Sequence, residues 1–239
     1  MGGLGSGPRP RLKRGVAPEN ALVPNQLVTM FLIDGPEHAR VTVLLAHGAG
    51  AAMDSAAMTA VAKVLAEAGL HVARFEFDYM ASRRTSTGRR PPPRADKLMP
   101  EYIAAVDALD AKGPLIIGGK SMGGRVASMV ADQLHASRRI AGLLCLGYPF
   151  HPPDKPEQLR TAHLAELETP ALIIQGTRDP FGTREEVSSY ALSKSIEILW
   201  LEDGDHDLKP RKSISGFSAA DHLKVLGEAV SSWIKRTTP

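Results

Sequence analysis

Ser121 stands in Gly119-Lys120-Ser121-Met122-Gly123, a G-x-S-x-G pattern. A serine hydroxyl is a poor nucleophile until a base takes its proton. Small flanking residues let the backbone turn sharply enough to lift that hydroxyl clear of the chain. An acid and a base follow in the order this chemistry uses. Asp179 lies in Gly176-Thr177-Arg178-Asp179-Pro180 and His206 in Gly204-Asp205-His206-Asp207. The histidine would take the serine proton, and the carboxylate would hold its tautomer and stabilise its charged form. Asp203, Asp205 and Asp207 flank His206 and compete for that partnership. Asp179 is preferred, because acid and base normally come from different loops. Gly119-Lys120-Ser121 also resembles the tail of a phosphate-binding loop, but Pro114 occupies the position where that loop needs glycine.

The tetrahedral intermediate of acyl transfer needs backbone donors for its oxyanion. The first N–H groups of a helix that starts after Ser121 are unpaired, which makes the Met122 N–H one donor. His47-Gly48-Ala49-Gly50 follows an apolar run and supplies the second, the Ala49 N–H. His47 itself reads as a structural hydrogen-bonding residue.

These residues need a frame that brings distant loops together. Apolar runs at Leu27–Ile33, Val41–Ala46, His71–Phe77, Leu115–Gly118, Ile140–Leu146, Ala171–Gln175 and Ile196–Leu201 predict strands. The continuous apolar character of most of them suits strands buried on both faces. Helical stretches are expected over 54–68, 99–109, 123–134, 156–167, 184–190 and 219–234, with Gly69 as a C-cap. The alternation implies an α/β fold with a mainly parallel sheet and helices on both faces. Asp179 and His206 then both fall just after strands, at the carboxyl edge where sites of such sheets gather.

The chain has 239 residues, which fits a single domain over 18–239 behind a disordered basic leader over 1–17. Met1-Gly2 with Ser6 matches a loose N-myristoylation pattern. No apolar stretch is long enough to span a membrane and no signal-peptide core is present. The single cysteine, Cys145, forms no internal disulfide and suits a reducing, cytoplasmic setting. Its apolar strand makes it buried and inert. A net charge of +3 does not argue for a nucleic-acid partner. The histidines lack the paired spacing of a zinc site, and the serine mechanism needs neither metal nor organic cofactor. Nothing in the sequence sets an oligomeric state.

Residues 78–98 contain Arg83, Arg84, Arg89, Arg90 and Arg94 with Pro91-Pro92-Pro93, and read as a long surface loop. Folded over the site, these arginines would favour an anionic substrate; otherwise the loop is solvated. Tyr148 and His151, just after a strand, are either a pocket wall and substrate donor or packing in a proline-stiffened loop.

Several segments together resemble a known family. They are Leu45-Ala46-His47-Gly48-Ala49-Gly50, Gly119-Lys120-Ser121-Met122-Gly123-Gly124, Gly147-Tyr148-Pro149-Phe150-His151-Pro152-Pro153 and Gln175-Gly176-Thr177-Arg178-Asp179-Pro180-Phe181-Gly182. The chain is similar, from about Leu27 to Ile234, to a branch of α/β-hydrolases related to dienelactone hydrolases, the branch that includes the testis-expressed protein thirty-like hydrolases. The resemblance implies an α/β-hydrolase fold with a minimal cap. Dienelactone hydrolases generally use a cysteine where this chain has Ser121. Asp78 departs from the proline expected before Tyr79. The leading expectation is a serine hydrolase acting on a small ester or thioester through Ser121, His206 and Asp179. The alternative is a hydrolase fold kept as a binding or scaffold module, as some eukaryotic relatives imply.

Overall fold

The computed structural model describes residues 11–14, 29–84 and 91–238. The expected lipidation site at Gly2 lies outside the described residues, as do Arg89 and Arg90. The chain begins with strands β1 (Arg11–Arg14), β2 (Met30–Asp34) and β3 (Thr42–Ala46), then helix α1 (Ala56–Glu67) and strand β4 (His71–Phe75). Helices α2 (Asp78–Ala81) and α3 (Ala95–Leu109) precede strand β5 (Leu115–Lys120), helix α4 (Met122–Ala136) and strand β6 (Gly142–Leu146). Strand β7 (Ala171–Gly176), helix α5 (Arg184–Val187), strand β8 (Ile196–Leu201) and helices α6 (Lys212–Ser215) and α7 (Ala219–Thr237) complete it.

The strands form one eight-stranded sheet in the order β1-β2-β4-β3-β5-β6-β7-β8. β2 runs antiparallel to β1 and β4, and the remaining pairs are parallel. Side chains of a strand alternate between faces, so one strand feeds two cores. In β3, Leu44 and Ala46 join a core with Tyr102, Val126 and Val130, under α3 and α4. Val43 and Leu45 join the opposite core with Val61, Leu65, Val230 and Trp233, under α1 and α7. Both faces are thus covered, and all the parallel strands end along one edge.

Several expectations are corrected. Arg11–Arg14 was expected in the disordered leader, yet it pairs along β2; an open strand edge offers backbone partners whatever the side chains are. The segment 78–98 is not one exposed loop. Asp78–Ala81 is a helical turn with Tyr79 and Met80 buried, and Ser82–Arg84 is a 3₁₀ turn. α3 then starts at Ala95, before the expected Met99, and carries Pro100 inside. Ala95, Leu98, Tyr102, Ala105 and Val106 recur at helical spacing and are all buried. Their packing outweighs the backbone bond that Pro100 removes. The expected helix over 156–167 reduces to a 3₁₀ turn, Ala162–Leu164. Residues 156–159 are exposed and form no apolar face, while the Arg160 N–H is taken by Phe150 O. Nothing larger than that turn lies between β6 and β7. Among the described residues no helix is long and apolar enough to cross a membrane.

Candidate active site

Ser121 joins β5 to α4 with φ 50° and ψ −116°. A non-glycine residue held there costs on the order of 1–3 kcal/mol, and such strain is kept where the surroundings fix it. The Ser121 N–H donates to Leu146 O at 2.9 Å, which pins the turn to the end of β6. Gly123 lets the helix start that close: a Cβ there would lie 2.5 Å from Ala46 O and 2.6 Å from His47 O.

The end of β7 holds Asp179 and the turn after β8 holds His206. His206 Nε2 is 2.8 Å from Ser121 Oγ, and His206 Nδ1 is 2.8 Å from Asp179 Oδ2. Asp179 is fully buried. Its carboxylate also accepts from Gln175 Nε2 at 2.9 Å and from the Phe181 N–H at 2.9 Å. These donors hold the Asp179 carboxylate with Oδ2 against His206 Nδ1, while Nε2 faces Ser121. The Phe181 ring lies 4.2 Å from the His206 ring, centroid to centroid. Lys120 Nζ donates to His206 O at 2.8 Å and pairs with Asp207 at 3.0 Å, tying the His206 loop to the Ser121 turn. The competing carboxylates are engaged elsewhere. Asp203 pairs with Arg211 and Arg178, and Asp205 accepts from the N–H groups of Asp207 and Lys209.

Ala49 and Met122 line the same cleft as Ser121, a cavity of about 690 Å³. Gly48 sits against Ser121: a Cβ there would lie 3.6 Å from Ser121 Cβ. No acceptor among the described residues takes the N–H of Ala49 or of Met122. His47 braces this loop. Its Nε2 accepts from the Phe77 N–H at 3.2 Å, and its Nδ1 is 2.6 Å from Gly48 O. Burial lowers the His47 pKa and keeps the ring neutral. The Tyr79 hydroxyl donates to Ala49 O at 3.2 Å.

Other candidates do not reach the cleft. Tyr148 is fully buried, and its hydroxyl donates to Arg160 O at 3.2 Å. His151 is buried, with Nδ1 2.8 Å from Pro152 O. Both pack the loop after β6, which matches the packing alternative of the two readings. Arg84 pairs with Glu76 at 2.7 Å and Asp54 at 3.0 Å, and the Arg83 guanidinium lies 5.2 Å from the Tyr79 ring centroid. These commitments within the protein correct their reading as anion receptors. Cys145 is buried beside Gly124, and burial pushes its thiol pKa up, as expected for an inert thiol. Gln175 went unnoticed in the sequence, although a lone amide ending the apolar run Ala171–Ile174 marks it. Arg125 and Arg160, both lining the cleft, were also missed. Among the described residues no cluster of His, Cys, Asp or Glu is arranged to hold a metal ion.

Residues 39–235 match the model of a family described as an alpha/beta hydrolase domain. Among solved structures, the chain is similar to a dienelactone hydrolase from Anabaena variabilis. The TM-score is 0.69 at 20% identity, covering 97% of this chain and 100% of that one. XC6422 from Xanthomonas campestris, described as an a/b serine hydrolase without lid, gives a TM-score of 0.66 at 19% identity, covering 97% and 96%. Est1E from Butyrivibrio proteoclasticus gives 0.65 at 15% identity, covering 95% and 98%. The chain therefore belongs to the α/β-hydrolase superfamily and has the backbone fold of its dienelactone-hydrolase-like members.

Proposed function

We propose that the chain is a serine hydrolase that cleaves a small ester or thioester through an acyl-enzyme. The observation that carries this reading is the unbroken chain from Ser121 Oγ through His206 to buried Asp179, with 2.8 Å at each link. His206 Nε2 accepts the Ser121 proton as Oγ bonds to the carbonyl carbon. The carbonyl electron pair moves to oxygen, and the N–H groups of Ala49 and Met122 donate to that oxyanion. Loss of one such donor costs roughly 3–4 kcal/mol of transition-state stabilisation. The tetrahedral intermediate then collapses, the C–O or C–S bond breaks, and His206 gives its proton to the leaving group. Water, deprotonated by His206, attacks the acyl-enzyme and restores Ser121. The single buried cysteine supports a reducing, cytoplasmic setting.

The test is turnover of 4-nitrophenyl acetate and of an acetyl thioester by the wild type and by Ser121→Ala and Asp179→Asn. The wild type should turn over at least one, and each substitution should lower kcat by on the order of 10⁴-fold. Equal turnover by Ser121→Ala would reject the reading.

A further inference from the structure

Arg125 and Arg160 both line the cleft that holds Ser121. Arg125 sits one helical turn after the nucleophile, its N–H donating to Ser121 O at 3.0 Å. That places it about 5–6 Å further along α4. Arg160 arrives from the irregular segment before the Ala162–Leu164 turn, its backbone fixed by Phe150 O and the Tyr148 hydroxyl. Both arginines are half-buried. Arg125 Nε is buried and has no hydrogen-bond partner. Burial, then the nearby charge of Arg125, lowers the Arg160 pKa.

Two partly desolvated guanidinium groups facing one cavity ordinarily require an anion. The cleft does not supply one. Its one lining carboxylate, Asp96, pairs with Arg94, at 3.1 Å. No ion pair engages Arg125 or Arg160 among the described residues. Residues 85–90 contain no acidic side chain. Arg94 and Gln158 also line the cleft, and Pro92, Pro93, Met129 and Phe181 give it apolar wall. The cleft therefore holds Ser121 at one place and the Arg125–Arg160 pair, with no carboxylate partner, at another, between partly apolar walls.

We propose that Arg125 and Arg160 form an anion subsite, so that the substrate is a small ester or thioester carrying a carboxylate or phosphate group. This rests on the serine-hydrolase reading for its chemistry, although the subsite can be tested without turnover. The guanidinium pair holds the anionic group by charge-assisted hydrogen bonds, the strongest that neutral pH allows. The reacting carbonyl then lies over Ser121, a few bonds away. Such anchoring selects anionic esters over neutral ones of equal length.

Two measurements test this. The first uses Ser121→Ala, which cannot turn over, and titrates it with glutarate and with inorganic phosphate by calorimetry. At least one should bind, and adding Arg125→Met and Arg160→Met should weaken binding about tenfold or more per arginine. Arg160→Lys should weaken it less than Arg160→Met. The second compares kcat/KM for 4-nitrophenyl hemiglutarate with that for its neutral methyl ester. The wild type should favour the anionic ester, and the ratio should fall about 100-fold in the double variant. Anion binding lost with the arginines, in a protein that hydrolyses no ester, would keep the subsite and reject the hydrolase reading. Ester hydrolysis with no anion binding and no charge preference would overturn the subsite and leave the hydrolase reading standing.

Discussion

Replacing Gln175 by Leu should loosen Asp179, the acid of the proposed triad, and the loop after β6 together. Gln175 is fully buried at the end of β7. Its Oε1 accepts from the Tyr148 N–H at 2.7 Å, and its Nε2 lies 2.9 Å from Asp179 Oδ2, 3.2 Å from Tyr148 O and 3.3 Å from Gly182 O. A leucine fills similar space but leaves the buried Tyr148 N–H without an acceptor. One such group costs about 1–3 kcal/mol. Asp179 keeps the Phe181 N–H and His206 but loses a donor on the oxygen that holds His206. With a further loss for that carboxylate, the expected destabilisation is about 2–4 kcal/mol. A freer carboxylate orients His206 less well. We expect kcat to fall about tenfold, a barrier change of about 1.4 kcal/mol, with KM little changed. Gln175→Glu keeps the acceptor for Tyr148 but sets a carboxyl against Asp179. Like charges at that distance force one of them to hold a proton. Urea unfolding and ester turnover read both effects. A Gln175→Leu protein within about 0.5 kcal/mol and twofold in kcat of the wild type would refute the reasoning.

Gly123→Ala should destabilise the chain by at least about 2 kcal/mol and depress kcat, because the nearest atoms its Cβ would meet are all backbone, Ala46 O, His47 O and Ala46 C, and cannot swing away. Thermal unfolding checks the first effect and ester turnover the second; an unchanged Tm would contradict the packing. Folding stability should fall as pH drops below about 6.5. Burial lowers the pKa values of His47 and His163, so below that pH the unfolded chain binds protons that the folded one refuses. Urea midpoints from pH 7.5 to 5 measure this, and His163→Gln should flatten the slope. An equal slope in the variant would remove His163 from the account.

Ser121, Asp179 and His206 could be singled out because each follows an apolar run and a turn-forming glycine. Ser121 comes after β5, Asp179 after β7 and His206 after β8, so a two-residue side-chain period and a helix start suffice to place them. The parallel sheet was legible for the same reason. What escaped depends on which side chains the folded chain brings into contact. Arg83 and Arg84 read as free charge in a basic run, but Glu76, Asp54 and the Tyr79 ring take them up. The positive pair in the cleft comes instead from Arg125, on a helix face, and Arg160, in a segment with no periodicity. Tyr148 stood at the active edge in sequence, yet its ring turns inward to Phe150. The start of α3 was misplaced because Pro100 looks like a boundary until the buried face of that helix is known.

The central claim is that Ser121 is an activated nucleophile in the folded chain. Reaction with a fluorophosphonate, followed by intact-mass and peptide analysis, tests it most directly. The account predicts a single adduct on the peptide containing Ser121, absent after Ser121→Ala and slowed after His206→Gln. No adduct on the folded wild type, or the same adduct on Ser121→Ala, would contradict it.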